Sequence, residues 1–168
     1  KTTNHKKIVE NIDVGGPAMV RAAAKNYNDV TVITSNSQYD SLKDELIKYK
    51  GSTSQEFRQK MSQIAFAETA YYDALISQYF NEITHNVFPE KKIIFSNLIQ
   101  KLRYGENPHQ QSSIYVNDYD DKKLGFSQIH GKDLRYNNYN DMYASLEILN
   151  SLKKNIATVI IKHANPCG

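Results

Sequence analysis

The stretch of residues 54–82 restricts the possible folds of this chain more than any other part of its sequence. Thr53 and Glu56, at its start, have the spacing of a helix capping box. Apolar side chains then recur at helical intervals along one face, at Phe57, Met61, Ile64, Tyr71, Leu75 and Tyr79. This periodicity predicts one long helix that packs one face against a partner.

Shorter elements are predicted before this helix. Gly15, Gly16 and Pro17 are typical of a helix start, so a helix is predicted over residues 18–26. The β-branched run of residues 29–34 predicts a buried strand. A short helix is predicted next, over residues 41–50, and Gly51 ends it.

Residues 84–89 interrupt the helical pattern, and a domain boundary is predicted near Pro89. A new series of elements is expected beyond this point. Its order is a strand at residues 91–95, an irregular segment at 102–111, a strand at 113–116 and a polar turn at 117–123.

The last part of the sequence predicts one helix and one strand. Asn138 or Asn140 can cap a helix that carries Met142, Leu146, Leu149 and Leu152 on one face. The apolar run of residues 156–161 predicts a buried strand. Because strands alternate with helices, the sequence favours an α/β fold with layers in both halves, divided into residues 1–90 and 91–168.

Charge and cysteine content narrow the class of protein. The net charge is +3, and acidic and basic residues are interleaved, so no stripe for nucleic acid or membrane stands out. Cys167 is the single cysteine, which excludes an internal disulfide and favours a reducing compartment. The apolar runs reach about six residues, against the roughly 20 that a membrane-spanning helix needs. Both ends look cut from a longer protein, so a fragment with incomplete activity is expected.

Lys162 and His163 follow the last predicted strand, just before the chain turns at Asn165 and Pro166. The carboxyl end of a strand in an α/β sheet is a usual place for ligands, and a turn can direct both side chains to one site. For an isolated pair, however, a solvated lysine beside a histidine bonded to backbone is the commoner outcome. A nucleophilic Cys167 is a further alternative, although a small buried cysteine is commoner.

Longer strings favour a catalytic role for this pair. IDVGGPAMVRAAAKN (residues 12–26), LRYGENPHQ (102–110) and IIKHANPCG (160–168) each resemble one family, and they occur in its order. That family is the bifunctional 5-aminoimidazole-4-carboxamide ribonucleotide (AICAR) formyltransferase/IMP cyclohydrolase. The segment GKDLRYNNYND (131–141) also fits, so the resemblance covers nearly the whole chain.

The resemblance implies the last two steps of IMP synthesis. Formyl passes from 10-formyltetrahydrofolate, the co-substrate, to the 5-amino group of AICAR, and dehydrative ring closure of formyl-AICAR then gives IMP. It makes His163 the base of the first step and Lys162 the cation that stabilises the oxyanion. The chemistry of the residue types agrees, because histidine exchanges protons near neutral pH and lysine supplies a compact positive charge.

Further residues match positions that contact the nucleotide in this family. Arg103 and Tyr104 match residues that contact AICAR, and an arginine fork suits phosphate or carbonyl oxygens. Outside the motif, a surface ion pair and local packing would explain them equally well. His109 is a weaker candidate for orienting the loop or the ligand. A helix cap explains Asn138 adequately.

In the cyclohydrolase half, the resemblance assigns Asp13 and Val14 to binding the substrate, Asp13 with a share in proton handling. It assigns Lys25 as proton donor or acceptor. Taken alone, Asp13 could cap a turn, and Lys25 could be a cation favoured by a helix C-terminus. A site that uses both needs a chain folded around the ligand or a contribution from a partner subunit.

The resemblance also implies the surroundings of these residues. Residues 1–90 would be the C-terminal part of a Rossmann-like (methylglyoxal-synthase-like) cyclohydrolase domain, and residues 91–168 the start of a cytidine-deaminase-like α/β formyltransferase domain. The protein would be a cytoplasmic homodimer that shares sites between chains and binds AICAR, formyl-AICAR and IMP, with no metal, nucleic acid or membrane. Two rivals stay open: a nucleotide-binding module without turnover, and an RNA-binding protein suggested by the 12 tyrosines.

Overall fold

The computed structural model describes residues 4–117, 126–152 and 156–167. The chain divides into two compact units, Lys1–Ile94 and Phe95–Gly168. Helices and strands both occur, so the mixed α/β class predicted from the sequence is confirmed. Which catalytic domain each unit belongs to stays a prediction.

In the described part of the first unit, residues 4–94, all regular secondary structure is helical. The layered strands predicted for this half are therefore not seen there. Its helices are α1 (His5–Glu10), α2 (Gly15–Lys25), α3 (Tyr39–Lys48) and α4 (Gln55–Ile83), with a single 3₁₀ turn at Asn36–Gln38. The three helices predicted over residues 18–26, 41–50 and 54–82 are thus confirmed, within a few residues at their ends.

Helix α4 begins one residue later than its capping signal indicated. Ser54 is the N-cap, and its hydroxyl accepts the Phe57 N–H at 3.2 Å. The predicted capping box at Thr53 and Glu56 is therefore wrong, since the adjacent serine takes this role. The buried positions of the helix are mostly small or polar, namely Met61, Ser62, Ala65, Thr69 and Ala74, whereas the predicted large apolar side chains other than Met61 are half-buried.

Small side chains let α2 and α4 pack closely. Ala24 and Ala65 are fully buried, and with Val32 they form the core of this unit. The Ser62 hydroxyl donates to the Ala24 carbonyl at 2.7 Å. That carbonyl lies in the last turn of α2, where carbonyls lack a following helical N–H. Packing and hydrogen bonding therefore both attach α2 to the middle of α4.

The strand predicted over residues 29–34 is wrong. The segment is not in a helix or strand, although Val32 is buried against α2 and α4. β-Branched residues favour a strand only when a neighbouring strand supplies the hydrogen-bond ladder. Among the described residues of this unit the segment packs on helices instead.

Within residues 95–117, 126–152 and 156–167, the second unit forms two small antiparallel sheets and one helix. Strand β1 (Asn97–Lys101) pairs with β2 (Ser113–Val116), and β3 (Ile161–Lys162) pairs with β4 (Asn165–Pro166). Helix α5 (Tyr136–Ser151) lies between these sheets in sequence. The predictions of a strand at 113–116, an irregular segment at 102–111 and a helix carrying Met142 are confirmed, but of its predicted apolar face Leu149 is exposed and Leu152 is an exposed C-cap.

Two of the strands predicted beyond Pro89 are wrong. Residues 91–95 form no strand, and β1 begins at Asn97 instead. In the run 156–161 only Ile161 is paired, and Ile156 and Ile160 are exposed. Much of the polar turn predicted at residues 117–123 lies outside the described residues. Over the described ranges, no helix combines the length and apolar character that a bilayer crossing requires.

Candidate active site

Asp13 is held at the start of α2 by two hydrogen bonds. Its carboxylate accepts the Gly16 N–H at 3.0 Å, and its own N–H donates to the Tyr72 hydroxyl of α4 at 2.8 Å. A carboxylate at a helix N-terminus is stabilised by the free N–H groups and the positive end of the helix dipole. Asp13 nevertheless stays exposed, so a ligand can reach its carboxylate.

A cleft of about 380 Å³ opens beside Asp13. Thr34, Glu68 and Tyr72 contribute to its walls. The Thr34 hydroxyl oxygen is buried and has no hydrogen-bond partner among the described residues. Sequence reasoning missed Thr34 and Tyr72, because the first stood in a supposed strand and the second beside the apolar stripe of α4. The predicted binding residue Val14 is exposed at the N-cap of α2.

Lys25 lies at the other end of the same helix. Helix α2 has 11 residues, so its two ends are about 16 Å apart along the axis. Lys25 is exposed in the last turn, where a cation is favoured by the helix dipole. The structure therefore does not bring Lys25 to the Asp13 carboxylate, and one ligand that touched both would have to extend along α2.

The LRYGENPHQ string forms a tight loop between β1 and β2. The Leu102 N–H donates to the Ser112 carbonyl at 2.9 Å, and the Gly105 N–H donates to the Gln110 carbonyl at 2.8 Å. Gly105 is buried, and a side chain there would meet the Gln110 Cβ at 2.8 Å. Glycine at this position therefore allows the two arms of the loop to close. His109 is exposed on the loop.

Tyr104, a residue of this loop, contacts the start of α5. Its carbonyl accepts the Tyr136 N–H at 3.3 Å, and its hydroxyl accepts a hydrogen bond from the Arg135 guanidinium. The guanidinium carbons of Arg103 and Arg135 lie 5.6 Å and 5.5 Å from the centre of the Tyr104 ring. Within the described residues, neither guanidinium has a carboxylate partner. Two guanidinium groups therefore lie beside one phenol, and guanidinium groups in such a pair can bind an anion.

Arg135 is a residue that sequence reasoning missed. The tripeptide Leu-Arg-Tyr occurs twice, at residues 102–104 and 134–136. Only the first copy was assigned a role, because the second lies in a segment interpreted as a helix cap. The structure brings the arginines of both copies to the same tyrosine. The repeated tripeptide was the signal that could have revealed Arg135.

Lys162 ends β3, and His163 is the first of the two residues that turn the chain into β4. His163 and Ala164 have φ of 54° and 58°, the left-handed region that a tight hairpin turn requires at both central residues. Both predicted catalytic side chains are exposed. The Ala164 N–H donates to the Asp141 carboxylate of α5 at 2.7 Å. The turn is thereby attached to the same helix that contacts Tyr104.

Helix α5 therefore contacts both the LRYGENPHQ loop and the turn that follows Lys162. Arg135, at its N-cap, contacts Tyr104, and Asp141, six positions later, contacts the Lys–His turn. Those six positions correspond to about 9 Å along the helix. The hydroxyl of Tyr139, between them, donates to Gln100 of β1 at 3.1 Å, and burial raises the pKa of this phenol. The neutral, hydrogen-bonded phenol thus fixes the helix against β1.

Two candidates remain from the sequence, Asn138 and Cys167, and each makes a hydrogen bond within the chain. Asn138 accepts the Arg135 N–H at 3.1 Å, so it closes the N-terminal turn of α5 rather than starting the helix. Cys167 is exposed, which corrects the expectation of a buried thiol, and its N–H donates to the Ile160 carbonyl. No group of three or more His, Cys, Asp or Glu able to hold a metal occurs within residues 4–117, 126–152 and 156–167.

Together these features define a mixed α/β chain with one carboxylate cleft in its first unit and one cationic site in its second. The sequence profile of the AICARFT/IMPCHase bienzyme family matches residues 23–168. The chain belongs to this family. Proteins named bifunctional purine biosynthesis protein PurH are similar over nearly all of it.

The similarity to the PurH proteins extends over the whole chain but over only part of each relative. The protein of Bradyrhizobium diazoefficiens is 45% identical over 173 aligned positions, covering 100% of this chain and 32% of the relative. That of Listeria innocua is 44% identical, covering 97% of the chain and 32% of the relative. That of Dinoroseobacter shibae is 46% identical, covering 95% and 31%. The chain thus spans about a third of the length of these curated relatives.

Proposed function

We propose that the complete protein carries out the last two steps of IMP synthesis. In the first, 10-formyltetrahydrofolate formylates the 5-amino group of AICAR, and in the second, formyl-AICAR closes to IMP with loss of water. The observation that carries this proposal is the attachment of the Arg103–Tyr104 loop and the Lys162–His163 turn to the first two turns of α5. Membership of the AICARFT/IMPCHase bienzyme family supports it.

Formyl transfer is difficult because the 5-amino lone pair is conjugated with the imidazole ring and its carboxamide. When the amine attacks the formyl carbon, a C–N bond forms, the carbonyl oxygen becomes an oxyanion and the amine becomes acidic. His163 takes that proton as general base, a contribution of roughly 10²–10⁴-fold in rate. Lys162 stabilises the oxyanion. The bond from the formyl carbon to the folate nitrogen then breaks, and that nitrogen takes up a proton to give tetrahydrofolate.

The nucleotide is held by the cationic group around Tyr104. Arg103 binds its phosphate or carbonyl oxygens through a planar fork, and the Tyr104 ring supplies a flat surface and a hydroxyl. The two cations around this ring favour a dianionic phosphate over an uncharged ligand. The weaker candidate His109 would orient the loop. No residue of this chain is assigned to the folate.

Ring closure needs proton donors and acceptors and consumes no redox equivalents. The carboxamide nitrogen attacks the formyl carbon, that nitrogen and the formamido nitrogen each lose one proton, and the former formyl oxygen takes up two protons and departs as water. Asp13, with Val14, binds the base portion of the substrate, and the exposed Asp13 carboxylate can accept a proton. Lys25 is the proton donor or acceptor. Since α2 separates Lys25 from Asp13, the substrate extends along the helix or a second chain completes the site.

The same proposal covers the setting of the chain. The first unit is part of a Rossmann-like, methylglyoxal-synthase-like cyclohydrolase domain (residues 1–90). The second is the start of a cytidine-deaminase-like formyltransferase domain (residues 91–168). The complete protein is a cytoplasmic homodimer that binds AICAR, formyl-AICAR and IMP, and neither reaction requires a metal ion.

The test is to supply the complete protein with AICAR and 10-formyltetrahydrofolate and to measure IMP. His163→Ala is expected to lower formyl transfer at least 100-fold while nucleotide binding is retained. Lys25→Ala is expected to abolish cyclisation of supplied formyl-AICAR while formyl transfer continues. Absence of IMP from the wild-type protein would refute the function, and wild-type formyl transfer in His163→Ala would refute the base assignment.

A further inference from the structure

The turn that carries Lys162 and His163 adopts an unfavourable backbone conformation. His163 and Ala164 both have positive φ, and neither is glycine. For residues with a Cβ, the left-handed region is sterically disfavoured, and two in succession persist only where their surroundings hold them. Since no glycine relieves the turn, something else must maintain it.

Two side chains bond the backbone of this turn. The Asp141 carboxylate accepts the Ala164 N–H at 2.7 Å, in a part-buried position, and the Asn165 amide donates to the His163 carbonyl at 2.8 Å. The first bond has the length of a charge-assisted hydrogen bond, which is about twice as strong as one between neutral groups. It is also the bond that comes from outside the hairpin, from helix α5. Asp141 therefore fixes the turn to a rigid element.

The direction of a side chain follows from the backbone dihedrals of its own residue. A His163 that relaxed to negative φ would direct its ring elsewhere and would carry the Lys162 side chain with it. Catalytic geometry tolerates little displacement, because a shift of about 1 Å can cost roughly a hundredfold in rate. The Asp141–Ala164 bond thus acts on the reaction without requiring contact with a reactant.

We propose that Asp141 is a positioning residue for formyl transfer, holding the left-handed turn that orients Lys162 and His163. This rests on the proposed function of that pair. The carboxylate serves as a hydrogen-bond acceptor for the Ala164 N–H. An asparagine offers the same acceptor oxygen without the charge, so it keeps the bond in a weaker form, whereas an alanine removes it.

The test uses the complete enzyme and three variants, Asp141→Ala, Asp141→Asn and Glu147→Ala. Glu147 is an exposed acid on the same helix and controls for loss of negative charge. Asp141→Ala is expected to lower the kcat of formyl transfer roughly 10- to 100-fold, with the KM for AICAR changed less than about twofold. Asp141→Asn and Glu147→Ala are expected to keep kcat within about threefold of wild type, and cyclisation of formyl-AICAR is expected to persist in all three.

A second background tests the backbone directly. Ala164→Gly makes positive φ accessible without strain, so the loss caused by Asp141→Ala is expected to shrink in the double variant. Wild-type kcat in Asp141→Ala, equal impairment in Asp141→Asn, or equal loss of both activities would each overturn the proposal. A wild-type enzyme without formyl transfer would refute the proposed function itself, which is a different outcome.

Discussion

The absence of a side chain at Gly16 determines where the Asp13 carboxylate can lie. The Gly16 N–H binds that carboxylate, and a Cβ at residue 16 would overlap it. Gly15, one position earlier, has open space around its missing side chain. The two glycines of the IDVGGPAMV string therefore differ: the second is needed for the carboxylate position, and the first is not.

This difference gives a matched pair of variants. Gly16→Ala is expected to displace the carboxylate and to lower the cyclisation rate of formyl-AICAR at least about tenfold, as expected for a lost charge-assisted bond. Gly15→Ala is expected to keep the rate near wild type. Both measurements use the complete enzyme with supplied formyl-AICAR. Similar rates for the two variants would mean that the Asp13 position does not govern ring closure.

Arg135 gives a second prediction at this scale. Because its guanidinium bonds the Tyr104 hydroxyl and lies over the ring beside Arg103, its removal takes one cation from the proposed phosphate site. Arg135→Ala is expected to raise the KM for AICAR about tenfold, and Arg135→Lys less, since lysine keeps the charge and loses the fork. Lys132→Ala, an exposed cation nearby, is the control. An unchanged KM in Arg135→Ala, measured by initial rates, would contradict a role in binding.

The elements differ in how well the sequence specified them. Helix α4 was predictable because its signal is local, an apolar residue on every turn and a capping serine beside the predicted cap. Residues 29–34 and 156–161 have equally strong β-branched patterns, yet only Ile161 joins a ladder. A strand depends on a partner distant in sequence, which a local pattern does not reveal. The Lys162–His163 string could be recognised within one short stretch of sequence. Arg135, Tyr72 and Asp141 were not recognised, because their roles depend on contacts with residues distant in sequence.

A carboxylate on α3 accepts hydrogen bonds from the N-cap of α4. Glu45 of α3 accepts hydrogen bonds from the hydroxyl and, at 2.9 Å, from the N–H of Ser54, the N-cap of α4. The Ser54 hydroxyl, with the Ser54 N–H second, lowers the pKa of the Glu45 carboxyl from its ordinary value near 4.5. A lowered folded-state pKa means that the ionised form favours the folded state. The stabilisation is therefore present above the ordinary value and is lost as pH falls through the folded-state pKa.

This connection predicts a pH-dependent difference in local opening. Glu45→Gln is expected to increase amide exchange at Ser54 and Phe57 at neutral pH, because an uncharged amide is a weaker acceptor. The ratio of exchange rates, variant to wild type, is expected to approach one once pH lies below the folded-state pKa. Asp44→Asn, at the neighbouring exposed acid, is the control. A ratio that stayed constant across this pH range would show that Glu45 does not act through its charge.

At the scale of the whole molecule, the two proposed chemistries belong to different compact units. Asp13 and Lys25 lie in Lys1–Ile94, and Lys162 and His163 lie in Phe95–Gly168. Each pair is assigned to one of the two proposed reactions. The AICARFT/IMPCHase bienzyme profile crosses both units, from residue 23 to residue 168. If the two sites are separable, a mixture of two variants can show it, whereas a single variant cannot.

If each unit acts independently, two complete enzymes with complementary defects should restore the overall reaction when they are mixed. His163→Ala is expected to make formyl-AICAR at least roughly 100-fold more slowly than wild type but to cyclise it, and Lys25→Ala is expected to make formyl-AICAR and accumulate it. Mixed at equal concentration with AICAR and 10-formyltetrahydrofolate, they are expected to form IMP after a lag, because the intermediate must leave one protein and bind the other. The lag should shorten as the His163→Ala concentration rises. Formation of IMP by either variant alone as fast as by the mixture, or its absence from the mixture, would mean that the two sites do not divide the chemistry between the units.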